Sequence, residues 1–334
     1  MLNTRFTKLV GCSTPIQQAG MGAVAIPELA AAVSNAGGLG MLGTARPGLN
    51  VSTLTQMLDR LRTLTTHPFG VNFIIEPESE IDRKCFEVAA RAARMVEFFY
   101  GEPDPELVRI VHDQGSLACW QIGSREEAVA AADARCDVIV AQGIEAGGHV
   151  RGRIGLMALL GEVLEEVDLP VIAAGGIGTG RAMAAALVAG ADGVRIGTRF
   201  VAAAESGAHP TYVAALISAT AEDTIYTEAF SRFWAAPHRV LRSCIAAAET
   251  LQDDIVGERD SLDGTRVPAF RLAPVVVDRT TTGALEAMPL WAGEGVGAVT
   301  RVQSAREILD ELASDAENAI RERAFDLVGG SRKS

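Results

Sequence analysis

Eight short apolar runs, most of them followed by a segment of helical period, fill the first 200 residues of this chain. The runs are Pro15–Ala19, Gly38–Leu42, Gly70–Ile74, Val96–Tyr100, Ser116–Gln121, Asp137–Gln142, Val171–Ala174 and Gly193–Ile196. The segments between them predict helices near Pro27–Ala36, Val51–Thr65, Ile81–Met95, Pro105–Gln114, Arg125–Ala134, Gly155–Val167 and Gly180–Ala189. Pro27 and Pro105 suit first-turn positions, where no amide hydrogen is needed. Ser124 with Glu127 reads as a capping box, and Gly190 as a helix stop. Strands covered by helices on the outside are buried on both faces, which is why they read as continuous apolar runs. Two architectures satisfy the pattern, a closed barrel and an open doubly wound sheet. The count of eight, and the glycine-rich stretches after several strands, favour an α/β fold of the (β/α)8 TIM-barrel type.

The chain has 334 residues, more than the roughly 250 a barrel needs. The surplus predicts an insertion. Tyr212, Tyr226, Phe230, Phe233, Trp234, Phe270 and Trp291 cluster there, with Pro-marked breaks at 210, 237, 268, 274 and 289. The expectation is a smaller, mostly helical insertion over the barrel mouth. In that division residues 1–215 and 296–334 form the barrel, and 216–295 form a lid or substrate domain. Ser304–Val328 reads as a closing amphipathic helix, and Gly329–Ser334 as a disordered tail.

A net charge of −12 and the lack of any Lys/Arg-rich run argue against nucleic acid as a partner. No stretch of 18 uncharged apolar residues predicts a membrane span, and no hydrophobic leader follows Met1. Five scattered cysteines without metal spacing point to reduced thiols in a cytoplasmic protein and to no metal site.

Two glycine-bearing strand ends carry the strongest chemical signal: Pro170-Val-Ile-Ala-Ala-Gly-Gly-Ile-Gly-Thr-Gly180 and Ala191-Asp-Gly-Val-Arg-Ile-Gly-Thr198. Backbone amides at such ends approach a phosphate closely, and barrel phosphate sites follow strands seven and eight. A dinucleotide fingerprint is the rival, but Gly176-Ile-Gly-Thr-Gly180 lacks its full spacing and Asp192 precedes a strand instead of ending one. Glycines serving turn geometry alone are the other alternative. After strand six, Ala141-Gln-Gly-Ile-Glu-Ala-Gly-Gly-His-Val-Arg-Gly152 places one imidazole, His149, among four glycines. A lone histidine is more often structural, yet this one stands at a catalytic face as a candidate general base or donor. Arg151 and Arg153 flank it, either to meet an anion or as a solvated loop. Gly20, Met21 and Gly22 follow strand one, where amides can reach a flat ring and Met21 can touch it or simply fill core. Asn72 and Gln121 are amides inside apolar strands, and buried amides need partners.

At these residues the sequence resembles the nitronate monooxygenase (2-nitropropane dioxygenase) family of FMN-dependent barrel enzymes. The carrying segments are Ala19-Gly-Met21, Pro27–Gly40, Pro68-Phe-Gly-Val-Asn72, Ala141–His149, Ala174-Gly-Gly-Ile177 and Gly197-Thr-Arg-Phe200. The resemblance implies that Gly175, Gly176, Gly178, Gly197 and Thr198 hold the FMN phosphate. It implies that Gly20, Met21, Gly22 and Asn72 contact the isoalloxazine, and that Gln121, Gln142, Gly147 and Gly148 line the ring and ribityl chain. His149 takes the catalytic position. Two departures stand out: Gln121 where many relatives carry lysine, so that positive charge must come from elsewhere, and Glu294 where glutamine is expected.

The leading expectation is oxidation of an alkyl nitronate by O₂ with FMN as cofactor. A second is NAD(P)H-dependent reduction of a quinone or enoyl compound, since relatives of similar sequence include such reductases. A barrel that binds a phosphorylated ligand without redox chemistry is the third. The substrate is a small molecule in the first two, and a homodimer is compatible with all three.

Overall fold

The computed structural model describes residues 2–75 and 81–327, so the tail Gly329–Ser334 lies outside the described residues. Eight parallel strands form one sheet: β1 (Ile16–Gln18), β2 (Gly40–Gly43), β3 (Phe69–Ile74), β4 (Met95–Phe99), β5 (Leu117–Ile122), β6 (Val138–Gln142), β7 (Val171–Ala174) and β8 (Gly193–Ile196). Their order runs β1-β8-β7-β6-β5-β4-β3-β2. A single bridge, Gln17 to Leu39, closes the ring next to β2. This is the (β/α)8 barrel that the alternation predicted. All eight expected strands are present; Val171–Ala174 and Gly193–Ile196 match to the residue, and the other ends shift by at most two residues. The helices also agree, except that the one expected at Ile81–Met95 occupies only Arg83–Ala92, because Met95 begins β4.

Period-two alternation decides which side chains face the axis. In β4, Val96 and Phe98 point outward and pack under the helices, where Phe98 stacks among Phe73, Phe86 and Trp120. Met95 points inward with Met41, Cys119, Val138, Val140 and Ile172. A helix over Arg5–Val10, not anticipated from the sequence, closes the amino-terminal end of the barrel by placing Phe6 and Val10 in that inner cluster. Arg5 anchors it to Asp192 at 2.8 Å and Asp168 at 2.9 Å.

The segment 216–295 corrects one expectation. It is not mostly helical. It carries β9 (Thr224–Thr227), β10 (His238–Leu241), β11 (Ile255–Asp260) and β12 (Arg266–Phe270) as two antiparallel pairs, with a helix over Arg242–Thr250. Thr-Ile-Tyr-Thr is built of β-branched and aromatic residues that favour strands, and Ile-Val opens Ile255–Asp260 in the same way. Prolines and aromatics had drawn the reading toward helices and breaks. This segment shares an apolar core with Tyr212, Leu216, Val201 and Val24. The closing helix spans Ala305–Leu327, with Ala305, Ile308, Leu309, Leu312 and Ala316 buried against the barrel.

Candidate active site at the carboxyl ends of the strands

A cavity of about 580 Å³ opens at the carboxyl ends of the strands, a volume within the range of small-molecule sites. Its wall gathers Gly20, Met21, Gly22, Asn72, Gln121, Gln142, Gly147, Gly148, His149, Gly175, Gly176, Gly197 and Thr198. These come from the carboxyl-end halves of β3, β5 and β6 and from the loops after β1, β6, β7 and β8, far apart in the chain. Gly178 stands apart. A side chain there would meet the Gly295 carbonyl at 2.5 Å, so this glycine serves the packing of the 294–298 turn instead of the wall. The far side of the cavity is the insertion, through Phe233, Trp234, Arg259, Pro268, Phe270, Val275, Val276 and Trp291.

The floor is a buried polar network that inward parity builds from five strands, β1, β3, β4, β5 and β8. Glu97 in β4 is wholly buried. It accepts from Asn72 Nδ2 at 2.6 Å and Gln17 Nε2 at 3.2 Å, and pairs with the Arg195 guanidinium from β8. Arg195 also donates to Gln17 Oε1 at 3.1 Å and to the Gln121 side-chain oxygen. Burial draws the Arg195 guanidinium down to about 9, which leaves it charged at neutral pH. The positive charge that Gln121 does not supply therefore comes from β8. Sequence reasoning missed both Glu97 and Arg195. The signal that picked out Asn72 and Gln121, a polar side chain inside an apolar strand, applies equally to them.

His149 sits in a two-residue strand, Gly148–His149, that pairs antiparallel with β10, so that His149 faces His238. The insertion thus holds the loop after β6 in place. Around the imidazole stand Trp234 at 4.4 Å, Trp291 at 5.6 Å, His238 at 5.8 Å and Tyr100 at 6.0 Å between ring centres. Burial in this aromatic box, helped by the neighbouring His238, pushes the ring down to about 3, against a smaller opposing pull from the Ala236 and Pro237 backbone. The ring is neutral at pH 7. Gly148 beside it has φ +79°, and a side chain there would meet nothing within 4 Å, so its backbone faces open cavity. Arg151 does not reach the site; it pairs with Glu102 and Glu127 and lies over Tyr100. Glu294 pairs with Arg239 at 3.1 Å.

Buried polar atoms nearly always have partners. Here Asn72 Oδ1, Gln142 Oε1, His149 Nδ1, Arg259 Nε and Trp291 Nε1 have none, and all five residues line this one cavity. Gln142 itself is oriented, because its Nε2 donates to the His149 carbonyl at 3.0 Å. Glycine at the β7 end adds a second feature: Gly175 has φ +117° and Gly176 φ +66°, and a side chain at Gly176 would crowd the Glu145 Cβ at 3.3 Å. A ring bearing both donors and acceptors, ending in an anion, matches such a wall.

Together with the likeness to known proteins, this carboxyl-end cavity makes the chain a flavin-dependent oxidoreductase. The chain belongs to the nitronate monooxygenase family, whose profile matches residues 3–315. Among curated relatives, a (3aS,4S,5R,7aS)-5-hydroxy-7a-methyl-1-oxo-octahydro-1H-indene-4-carboxyl-CoA dehydrogenase of Rhodococcus jostii is 31% identical, with 99% of each chain covered. A probable nitronate monooxygenase of Staphylococcus saprophyticus is 32% identical over 68% of this chain and 76% of its own. Among solved structures, FabK from Thermotoga maritima superposes with a TM-score of 0.82 at 30% identity, covering 97% of this chain and 100% of its own. A nitroalkane oxidase from Streptomyces ansochromogenes superposes with 0.73 at 31% identity, covering 95% and 99%. No helix among the described residues is long and apolar enough to cross a membrane.

Proposed function

We propose that this chain binds FMN and oxidises alkyl nitronates with O₂. Gly175, Gly176, Gly197 and Thr198 would hold the phosphate, and Gly20, Met21, Gly22, Asn72, Gln121, Gln142, Gly147 and Gly148 the ring and ribityl chain. Bound there, FMN supplies the electron-accepting chemistry. The observation that carries the reading is the imidazole of His149: neutral, boxed by two tryptophans, with Nδ1 unpartnered beside the same cavity. Its unpartnered Nδ1 is the group placed to take the α-proton of a nitroalkane, and the nitronate anion formed beside it stabilises the resulting imidazolium against the burial that otherwise weakens the base. The charge of Arg195 at the floor stabilises negative charge developing above it. The test is His149→Asn, which keeps bound flavin and loses about 10²- to 10⁴-fold of turnover on neutral nitroalkane. Full activity in that variant refutes the assignment of the base.

A second reading, NAD(P)H-dependent reduction of a quinone or enoyl compound, is favoured by the cationic character of the wall. Arg46, Arg195, Arg199 and Arg259 line the cavity, and among the described residues no carboxylate does, in a chain of net charge −12. Anaerobic mixing of the yellow protein with NADH, NADPH and propionate 3-nitronate separates the two. Bleaching by the nitronate alone supports the first reading, and rapid bleaching by a reduced nicotinamide supports the second.

A further inference from the structure

Of the five unpartnered polar atoms in the cavity wall, four are accounted for. Asn72 Oδ1 and Gln142 Oε1 belong to residues assigned to the flavin, and His149 Nδ1 is the base. Arg259 Nε lies on a guanidinium that feels the charge of Asp278. Trp291 Nε1 is left over. An indole nitrogen can only donate. Burying such a donor without an acceptor is unfavourable, and buried donors nearly always have one. Trp291 stands on the wall of a ligand-sized cavity, so the missing acceptor is one that arrives with a ligand.

One strand sets this indole beside the imidazole. β10 is the middle strand of its sheet, with β9 along one edge. On the other edge His238 faces His149, and Val240, two positions on, faces Trp291 across an antiparallel bridge. The Leu241 amide donates to the Leu290 carbonyl at 2.9 Å and fixes that register. Positions two apart on a strand share a face, and directly opposed residues project to the same side. His149 and Trp291 therefore lie side by side, with ring centres 5.6 Å apart and planes inclined at 52°. The Tyr212 hydroxyl donates to the Trp291 carbonyl and adds a second anchor.

A proton acceptor next to a group that only donates suits a carbon acid whose acidic C–H stands beside an oxygen. We propose that Trp291 is a second catalytic residue, whose Nε1–H donates to the substrate oxygen on which negative charge develops while His149 takes the proton. In a nitroalkane the α-C–H bond breaks, the proton goes to His149, and the electron pair left on carbon forms the C=N bond as negative charge moves to a nitro oxygen. The indole hydrogen bond meets that oxygen and strengthens as its charge grows. Nothing is oxidised or reduced in this step. The inference rests on the reading of His149 as the base.

The test begins with purified protein whose flavin content is fixed by absorbance. Trp291→Phe keeps an aromatic ring and removes the donor. Its kcat/KM on nitroethane is expected to fall about 10²- to 10³-fold, the scale of one lost oxyanion donor, with the loss in kcat. On preformed ethyl nitronate, which already carries the charge, the loss is expected in KM. A mere displacement of His149 would spare the nitronate, so the split separates a donor from a packing role. Trp291→His returns a ring N–H and recovers part of the loss. Calorimetric titration with nitrate, a planar oxyanion, reads the donor without turnover, and affinity about tenfold weaker in Trp291→Phe is expected. Native turnover of nitroethane in that variant overturns the proposal, as does nitrate that fails to bind or binds both proteins equally. Loss of flavin from Trp291→Phe also overturns it, because the donor then serves the cofactor. A colourless native protein sinks the FMN reading, and the nitrate titration still decides this one. Full activity in His149→Asn sinks the base and this pairing together, whereas an inactive His149→Asn beside a fully active Trp291→Phe overturns this inference alone.

Discussion

The floor and the rim of the cavity both carry arginine, and they are built in opposite ways. At the floor, Arg195 is closed into a network with Glu97, Gln17 and Gln121, so its charge is matched by a buried carboxylate. At the rim, Arg259 keeps an unpartnered Nε and Arg46 a carboxylate no nearer than 4.0 Å. A matched buried charge fixes geometry, since removing either partner strands the other in a poor solvent. At the rim the two guanidiniums share the Asp278 carboxylate at longer range. The same residue type is thus locked in one place and loosely held in the other.

That contrast can be broken by removing one charge from each end. Glu97→Gln leaves the Arg195 guanidinium buried and unpaired, and should cost about 3–5 kcal/mol of folding stability. Arg259→Gln removes a charge that nothing fully matches, and should change stability by less than about 1 kcal/mol. Urea unfolding of both variants measures the difference, and equal losses would erase the distinction. Acid sharpens it next. The His149 ring is held near 3 in the folded chain, whereas an unfolded histidine titrates near its ordinary value. Between those values the unfolded state takes up the proton, so stability is complete above about pH 6.5 and falls as pH drops toward 3. At pH 4.5 the loss from this group is of the order of 2 kcal/mol. His149→Asn should flatten that part of the stability–pH curve; a curve of unchanged slope would place the acid sensitivity elsewhere, with His238 the next group to examine. The smallest effect belongs to Glu294→Gln, which restores the residue expected from relatives. Glu294 is 41% exposed where it meets Arg239, so stability should move by no more than about 1 kcal/mol and flavin content not at all. Loss of flavin in that variant would show that this pair holds the rim.

How much of this was legible in the chain differs by region, for reasons that particular residues show. The barrel was readable because β-strand runs such as Val171–Ala174 are buried on both faces and so are apolar without interruption. Asn72 and Gln121 were readable as polar exceptions to that rule. Glu97 and Arg195 broke the same rule, but each is intelligible only with the other, 98 residues away, and no local pattern pairs them. The insertion is harder to read because its strands are short, three of the four are half-exposed, and proline and aromatic spacing says little about strand or helix.

The sequence alone determined the eight-fold alternation, the glycine-bearing ends of β7 and β8, and the lone imidazole after β6, because each follows from local sterics and from which faces must be dry. Tertiary structure alone decided which charges are matched. Pairing of Arg195 and the exposure of Arg46 and Arg259 to one cavity depend on distances between residues far apart in the chain, and charge interactions are set by distance and burial, not by order along the backbone.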